Sequence, residues 1–345
     1  MSANIHRLAL IGFGVVGQAV AQAILDKGSE FDPELQVVAT ATRSKGSLYH
    51  PNGLNLPALL KAAQSHAGLA SYPDGPGLIR GWDSLRIAGE SNAGTLVELS
   101  YTDLQTGQPA IDHCRAAIKS GKNISTANKG PLALAYPELA GLARRHGVGF
   151  GFESTVMAGT PAMRVGELLK RGNTVSEVSG IFNGTTNFIL TQMEANNASF
   201  AAALAEAQAL GYAEADPSGD VEGHDAAAKV VILANVLLGA NITLAQVETT
   251  GITHLTADDI ASAKAQAKRW KLIGRAKREG DQVVASVGPE MLPIDNPLAN
   301  VGGATNAITY QADLLGPVTL VGAGAGGAAT AAGILADVLS MAASR

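Results

Sequence analysis

Cysteine is all but missing from this chain: among 345 residues there is one, Cys114. A single thiol closes no internal disulfide and cannot build a cysteine-based zinc or iron–sulfur centre, so a reducing, cytoplasmic compartment is expected. Charge is sparse as well, at 16% of residues against a globular average of about 25%. The 25 basic and 30 acidic residues leave a formal net charge of −5, which argues against nucleic acid or an anionic membrane as partner and favours a small molecule. The seven histidines, at 6, 50, 66, 113, 146, 224 and 254, show no metal-ligand spacing.

Two charge-free stretches imitate membrane or export signals. Leu8–Leu25 follows Arg7, but Gly12, Gly14, Gly17, Gln18 and Gln22 interrupt it. Leu314–Ala336 is long enough to span a bilayer, yet six of its residues are Gly and one is Pro. Both are expected to be buried elements of a soluble protein.

What is abundant is glycine, 40 residues, which favours tight packing and close backbone approaches. At roughly 150 residues per domain the length predicts two domains. The first, 1–150, reads as strand (Arg7–Ile11), glycine turn, helix (Gln18–Lys27) and strand (Leu35–Thr42), then strands at Thr95–Leu99 and Asn123–Thr126 around an amphipathic stretch Ala110–Ser120. That alternation implies an α/β, doubly wound parallel sheet of the Rossmann kind, with 47–82 as an edge insertion. From 151 to 318 the pattern changes. Helices are expected at Gly184–Ala195, Ser199–Leu210 and His224–Leu238, with strands at Val175–Phe182, Leu272–Lys277, Val283–Val287 and Ala307–Ala312. This is an α+β domain, and 319–345, with a helix over Ala325–Met341, is expected to pack back on the first.

Four groups of residues carry chemistry. In Gly12-Phe13-Gly14-Val15-Val16-Gly17 the first glycine suits a tight turn, the second a close approach to a pyrophosphate, the third helix–strand packing, with phosphates at the helix N-terminus. After the second strand, where an acid usually holds the adenine ribose, stand Arg43 and Lys45; two cations favour the 2′-phosphate of NADP over NAD. Lys129, after the strand at 123–126, is placed to point into a crevice at the sheet's carboxyl edge, although a strand-end lysine is equally compatible with a solvated position.

Richest is Gly211 to Lys229. Asp225 and Lys229 are four apart and share a helix face, and Lys229 is embedded among Ala and aliphatic residues, where an ammonium is costly unless a partner or a proton-transfer role justifies it. The corners Glu153–Pro161 and Ile181–Asn187 offer N–H groups for a carboxylate or carbonyl oxygens for a hard cation, and plain helix capping accounts for them equally.

Together with Asn306, Ala307, Ile308, Gly316, Pro317, Gly322, Gly324 and Thr330, these motifs resemble homoserine dehydrogenase from Gly12 to the C-terminus. The resemblance implies NAD(P)-linked interconversion of L-homoserine and L-aspartate 4-semialdehyde, in threonine, methionine and isoleucine biosynthesis. It makes Lys229 the proton donor and acceptor, with Lys129 lining the same site. It assigns Glu214 and Asp225 to the substrate amine, and Asp220, Tyr212, Gly184 and Thr185 to the rest of the pocket. Ser100, Lys129, Gly211 and Gly322 join the glycine turn as cofactor contacts, and Glu153, Val156, Ala158 and Thr160 match a sodium corner. A homodimer through the substrate domain is implied, and the chain's length leaves no room for a kinase or a C-terminal regulatory domain. Arg43 departs from the acid of many relatives. Two rivals are an aldehyde dehydrogenase acylated on Cys114 and a regulator that binds NADPH without turnover.

Overall fold

The computed structural model describes residues 4–343. The chain divides into two compact units, Met1–Gly159 together with Gly326–Arg345, and Thr160–Ala325. Both boundaries fall later than 150 and 318. Residues 150–151 still pair as a strand of the first sheet, and 316–323 pair along the second.

The first unit contains β1 (Ile5–Ile11), α1 (Val15–Lys27), β2 (Glu34–Ala41), β3 (Ser47–Tyr49), α2 (Leu56–Gln64), β4 (Ile79–Arg80), α3 (Ser84–Glu90), β5 (Thr95–Glu98), α4 (Ala110–Lys119), β6 (Asn123–Thr126), α5 (Lys129–His146) and β7 (Phe150–Gly151). The sheet order is β4-β3-β2-β1-β5-β6-β7. Strands β2, β1, β5, β6 and β7 run parallel, whereas β3 and β4 are antiparallel additions. The stretch 47–82, expected as an insertion, thus extends one edge of the sheet.

Alternation in β1 explains why helices cover both faces. Leu8 and Leu10 join Val20 and Ile24 of α1 in one core, while Ala9 and Ile11 join Ile87, Cys114, Ile118 and Leu139 of α3, α4 and α5 in the other. Each fully buried Leu or Ile contributes about 1.5–3 kcal/mol of transfer free energy.

The second unit contains α6 (Ala162–Leu169), β8 (Val175–Ile181), α7 (Gly184–Asn196), α8 (Phe200–Ala209), α9 (Ser218–Val221), α10 (His224–Leu237), β9 (Val247–Thr249), α11 (Ala257–Ala265), β10 (Lys268–Glu279), β11 (Gln282–Pro293), β12 (Thr305–Ala312) and β13 (Gly316–Ala323). Its sheet order is β13-β12-β8-β10-β11-β9, antiparallel except where β9 meets β11. Glycine lets α10 lie close to this sheet: a Cβ at Gly274 would stand 2.6 Å from Val230 and from Phe182.

The last helix, α12 (Gly327–Ala342), belongs to the first unit, where Ile334 and Val338 enter the core beside α1. Residues 319–325, expected to return with it, stay in the second unit instead. Eight backbone partners along β12 hold β13 there. The two charge-free stretches resolve into β1–turn–α1 and β13–turn–α12. No helix among the described residues is long and apolar enough to cross a membrane.

Candidate active site

The three glycines of the first turn are needed for three different reasons. Gly12 has φ +98°, and a Cβ there would stand 2.2 Å from the Leu99 carbonyl oxygen and 3.0 Å from the Ser100 nitrogen. A Cβ on Gly17 would meet the Gly12 carbonyl oxygen at 2.4 Å. A Cβ added at Gly14, by contrast, would meet nothing within 4 Å among the described residues, and this residue stands at the N-cap of α1 with no side chain closing the helix end. The second glycine is therefore the open one, which fits a pyrophosphate passing over it.

Around the turn, Val15 is 76% exposed while Phe13 is buried in the core and Val16 packs against it. Ser100 follows β5, its N–H and hydroxyl both directed to Glu98 Oε1. Lys129 is the first residue of α5, capped by the Asn128 side chain, which accepts the Gly130 N–H at 2.9 Å. Arg43 and Lys45 lie exposed in the turn after β2, which Thr42 closes with hydrogen bonds to Lys45 and Gly46. Neither cation has an ion-pair partner among the described residues.

The second unit gathers the catalytic candidates. Lys229 is 8% exposed in α10, flanked by Ala226, Ala227, Ala228, Val230 and Val231, all buried. Its ammonium donates to Asp225 Oδ2 at 2.7 Å and to the Phe182 carbonyl at 2.6 Å. The helical spacing supplies the first contact; the second comes from the end of β8.

Asn183 ties the group together. Its Oδ1 caps α7 by accepting the Thr186 N–H, and its Nδ2 donates to Asp220 Oδ1 at 2.6 Å and Asp225 Oδ2 at 3.0 Å. Burial, reinforced by the neighbouring Asp225 charge, pushes the Asp220 carboxyl up from its ordinary pKa. Two carboxylates against one lysine leave an excess negative charge, suited to an ammonium. Thr185 donates to the Tyr212 carbonyl at 2.7 Å, and the Tyr212 ring lies 4.8 Å from that of Phe188.

Asn183 lies in the corner Ile181–Asn187 without a role of its own in the sequence pattern beyond the cap signal of an Asn before Gly-Thr-Thr at a strand-to-helix junction. Glu214 is exposed and makes no side-chain hydrogen bond among the described residues; Asp220 is the acid that shares Asn183 with Asp225. Gly211 is exposed at φ +78°, and Gly184 starts α7. Gly322, on β13, leaves room for Thr160, whose hydroxyl would stand 2.2 Å from an added Cβ.

In the corner after β7, Glu153, Val156 and Ala158 are all buried, and Met157 and Ala158 have φ of +60° and +51°. Left-handed backbone at two successive non-glycine residues costs roughly 1–2 kcal/mol each. Thr160 begins the second unit and donates to the Ala323 carbonyl. Cys114 is fully buried, and burial raises its thiol pKa well above the ordinary value, the opposite of an activated nucleophile.

A profile of the homoserine dehydrogenase family matches residues 161–339. An NAD(+)-dependent homoserine dehydrogenase from Pseudomonas canavaninivorans is 42% identical over 341 residues, covering 97% of this chain and 95% of that one. The chain belongs to the homoserine dehydrogenase family. Solved homoserine dehydrogenases have the same fold. A putative one from Archaeoglobus fulgidus superposes with a TM-score of 0.87 at 34% identity, covering 97% of this chain and 98% of that chain. A hyperthermophilic archaeal one in complex with NADPH gives 0.84 at 30%, covering 99% and 98%. Homoserine dehydrogenases are oxidoreductases acting on a CH–OH group, and the buried lysine with its acids suits that chemistry.

Proposed function

We propose that this homoserine dehydrogenase interconverts L-homoserine and L-aspartate 4-semialdehyde with Lys229 as general acid and base. The observation that carries the assignment is an ammonium buried in an apolar helix yet held by Asp225 and the Phe182 carbonyl. In the oxidative direction neutral Lys229 accepts the hydroxyl proton; in reverse its ammonium returns a proton to the carbonyl oxygen. Glu214 and Asp225 receive the substrate ammonium, while Asp220, Thr185 and Tyr212 shape the pocket. When bound, the nicotinamide takes up or supplies the hydride.

The pyrophosphate is assigned to the open Gly14 position at the start of α1. NADP is proposed as the preferred cofactor, supported by the exposed, unpaired Arg43 and Lys45; NAD use is the alternative, favoured by the NAD(+)-dependent relative. A sodium ion is proposed at the Glu153, Val156, Ala158 and Thr160 corner, supported by the left-handed Met157 and Ala158. A homodimer through the second unit is supported by edge strand β13, with Val321 56% exposed.

The deciding experiment follows reduced-nicotinamide absorbance with homoserine and each cofactor. Turnover is expected with NADP above NAD, and Lys229→Ala should reduce it by about a hundredfold or more. Turnover with NAD alone would overturn the reading of Arg43 and Lys45, and no turnover with either would reject the enzyme reading.

A further inference from the structure

Beneath the carboxyl end of β5 lies a buried acid with no lysine or arginine at ion-pair distance among the described residues. Glu98 is 0% exposed and ends the strand. Its Oε1 accepts the Ser100 hydroxyl at 2.5 Å and the Ser100 N–H at 3.3 Å and contacts His113 Nδ1 at 3.2 Å, while its Oε2 is enclosed without a partner among the described residues. His113 is 2% exposed, and its other nitrogen meets the Ser84 hydroxyl at 2.8 Å. A buried carboxylate oxygen left unpaired is destabilising. A fold-maintaining role alone favours an apolar side chain at this position.

What the acid holds explains its retention. Ser100 stands against the glycine turn, since its nitrogen is 3.0 Å from where a Gly12 Cβ would be. The Ser100 carbonyl accepts from Asn128 Nδ2 at 3.0 Å, and Asn128 caps the helix that begins with Lys129. Glu98 therefore sets the direction of the Ser100 hydroxyl, on backbone that abuts the dinucleotide turn. Because the hydroxyl proton goes to Glu98, both lone pairs of Ser100 Oγ remain acceptors, one met by Asn128 Nδ2 at 3.4 Å and the other unengaged among the described residues.

We infer that Glu98 and His113 are positioning residues for the cofactor: they orient Ser100 to accept a hydrogen bond from a donor on the nicotinamide nucleoside, a ribose hydroxyl or the carboxamide N–H. This rests on the cofactor reading above. Acting through Ser100, they should have no effect of their own once its hydroxyl is gone.

The test measures dissociation constants of NADPH and NADH by the fluorescence of the bound reduced nicotinamide, beside thermal unfolding midpoints, in Ser100→Ala, Glu98→Leu, Glu98→Gln and the Glu98→Leu/Ser100→Ala double variant. Ser100→Ala and Glu98→Leu should each weaken binding about tenfold, roughly 1.4 kcal/mol. Glu98→Gln, whose oxygen still accepts from Ser100, should stay within about threefold of the parent, and the double variant should be no weaker than Ser100→Ala. If Glu98→Leu does not fold, Glu98→Asp, one methylene too short to hold the serine, takes its place with the same expectation.

A double variant about a hundredfold weaker, or a folded Glu98 variant with parental affinity, overturns the positioning role. Failure of the parent protein to bind either reduced cofactor overturns the cofactor reading itself. To separate the donors, the analogue with an acetyl group in place of the carboxamide should be insensitive to Ser100→Ala if the carboxamide is the donor, and as sensitive as the natural cofactor if the ribose is. Insensitivity of both the natural cofactor and the analogue overturns the contact.

Discussion

Removing the Asp225 carboxylate tests whether Lys229 sits where an ion pair matters. The charged atoms are 2.7 Å apart, with side chains 10% and 23% exposed for Lys229 and Asp225. At an effective dielectric of about 20, unit charges roughly 3 Å apart attract by about 5–6 kcal/mol. Most of that is offset by desolvation, and deleting one partner of a buried pair typically costs about 3–5 kcal/mol. The part of Asp225 that remains in water and the second acceptor at Phe182 lower the expectation for Asp225→Ala to about 2–3 kcal/mol.

For a unit of this size such a loss shifts the thermal midpoint of its transition by about 5–10 °C, readable by calorimetry. Lys229→Met removes the ammonium but leaves Asp225 beside Asp220. The Asp225→Ala/Lys229→Met double variant should therefore be more stable than the sum of the single effects predicts, by about 2 kcal/mol in a double-mutant cycle. Turnover with homoserine should fall at least about a hundredfold in every variant lacking the lysine. A coupling below about 0.5 kcal/mol, or Lys229→Met turnover within tenfold of the parent, would refute a desolvated acid–base lysine at this position.

Gly14→Ala should leave the thermal midpoint unchanged while weakening cofactor binding at least about tenfold, because its Cβ meets nothing within 4 Å. Gly12→Ala should lose more than about 3 kcal/mol of stability, since its Cβ would strike the Leu99 carbonyl at 2.2 Å; equal effects in the two variants would contradict the division of labour. Lys271 is buried, and desolvation lowers its pKa from 10.5 to about 8. Between those values the unfolded chain binds a proton that the folded chain does not, so this lysine makes stability rise with pH by up to about 1.4 kcal/mol per pH unit, with a constant penalty below pH 8. Denaturation at pH 7.5 and 9.5 should accordingly show the parent gaining on Lys271→Met, and a pH-independent difference would refute it. Cys114→Ser should keep turnover within about threefold despite a cost of roughly 1–2 kcal/mol for burying the hydroxyl, whereas abolished activity in a folded variant would restore the thiol mechanism.

How much of this was legible in the sequence depended on whether the signal was local. The glycine turn, the apolar run of α10 and the spacing of Asp225 and Lys229 are properties of a dozen consecutive residues, and strand β6 is where its pattern placed it, Asn123–Thr126. Strand β13 was not read as a strand: Gly316, Pro317, Gly322 and the absence of charge look like turn chemistry, and its ordering comes from β12, a partner the local pattern does not reveal. The three-residue β3 and two-residue β4 were hidden within an apparent insertion for the same reason. The corner Ile181–Asn187 is legible, but not that its Asn183 brings together Asp220 and Asp225, 37 and 42 residues away.

Burial alone does not single out Lys229. Lys122, Lys229 and Lys271 are all less than 9% exposed. Lys122 donates to the Gly89 carbonyl and the Ser120 hydroxyl, and Lys271 to Asn187 Oδ1 and the Val301 carbonyl. Neither has a carboxylate within ion-pair distance among the described residues, and burial lowers the pKa of both. They pin carbonyls. Lys229 alone of the three meets a carboxylate, and a second acid shares the amide that braces the first. A lysine fixed by neutral acceptors can hold a loop, but an excess acid beside it leaves an electrostatic well suited to a second cation. The distinction between a structural and a chemical lysine thus rests on the charge of its partners, which helical spacing gives for Asp225 and only the fold gives for Asp220.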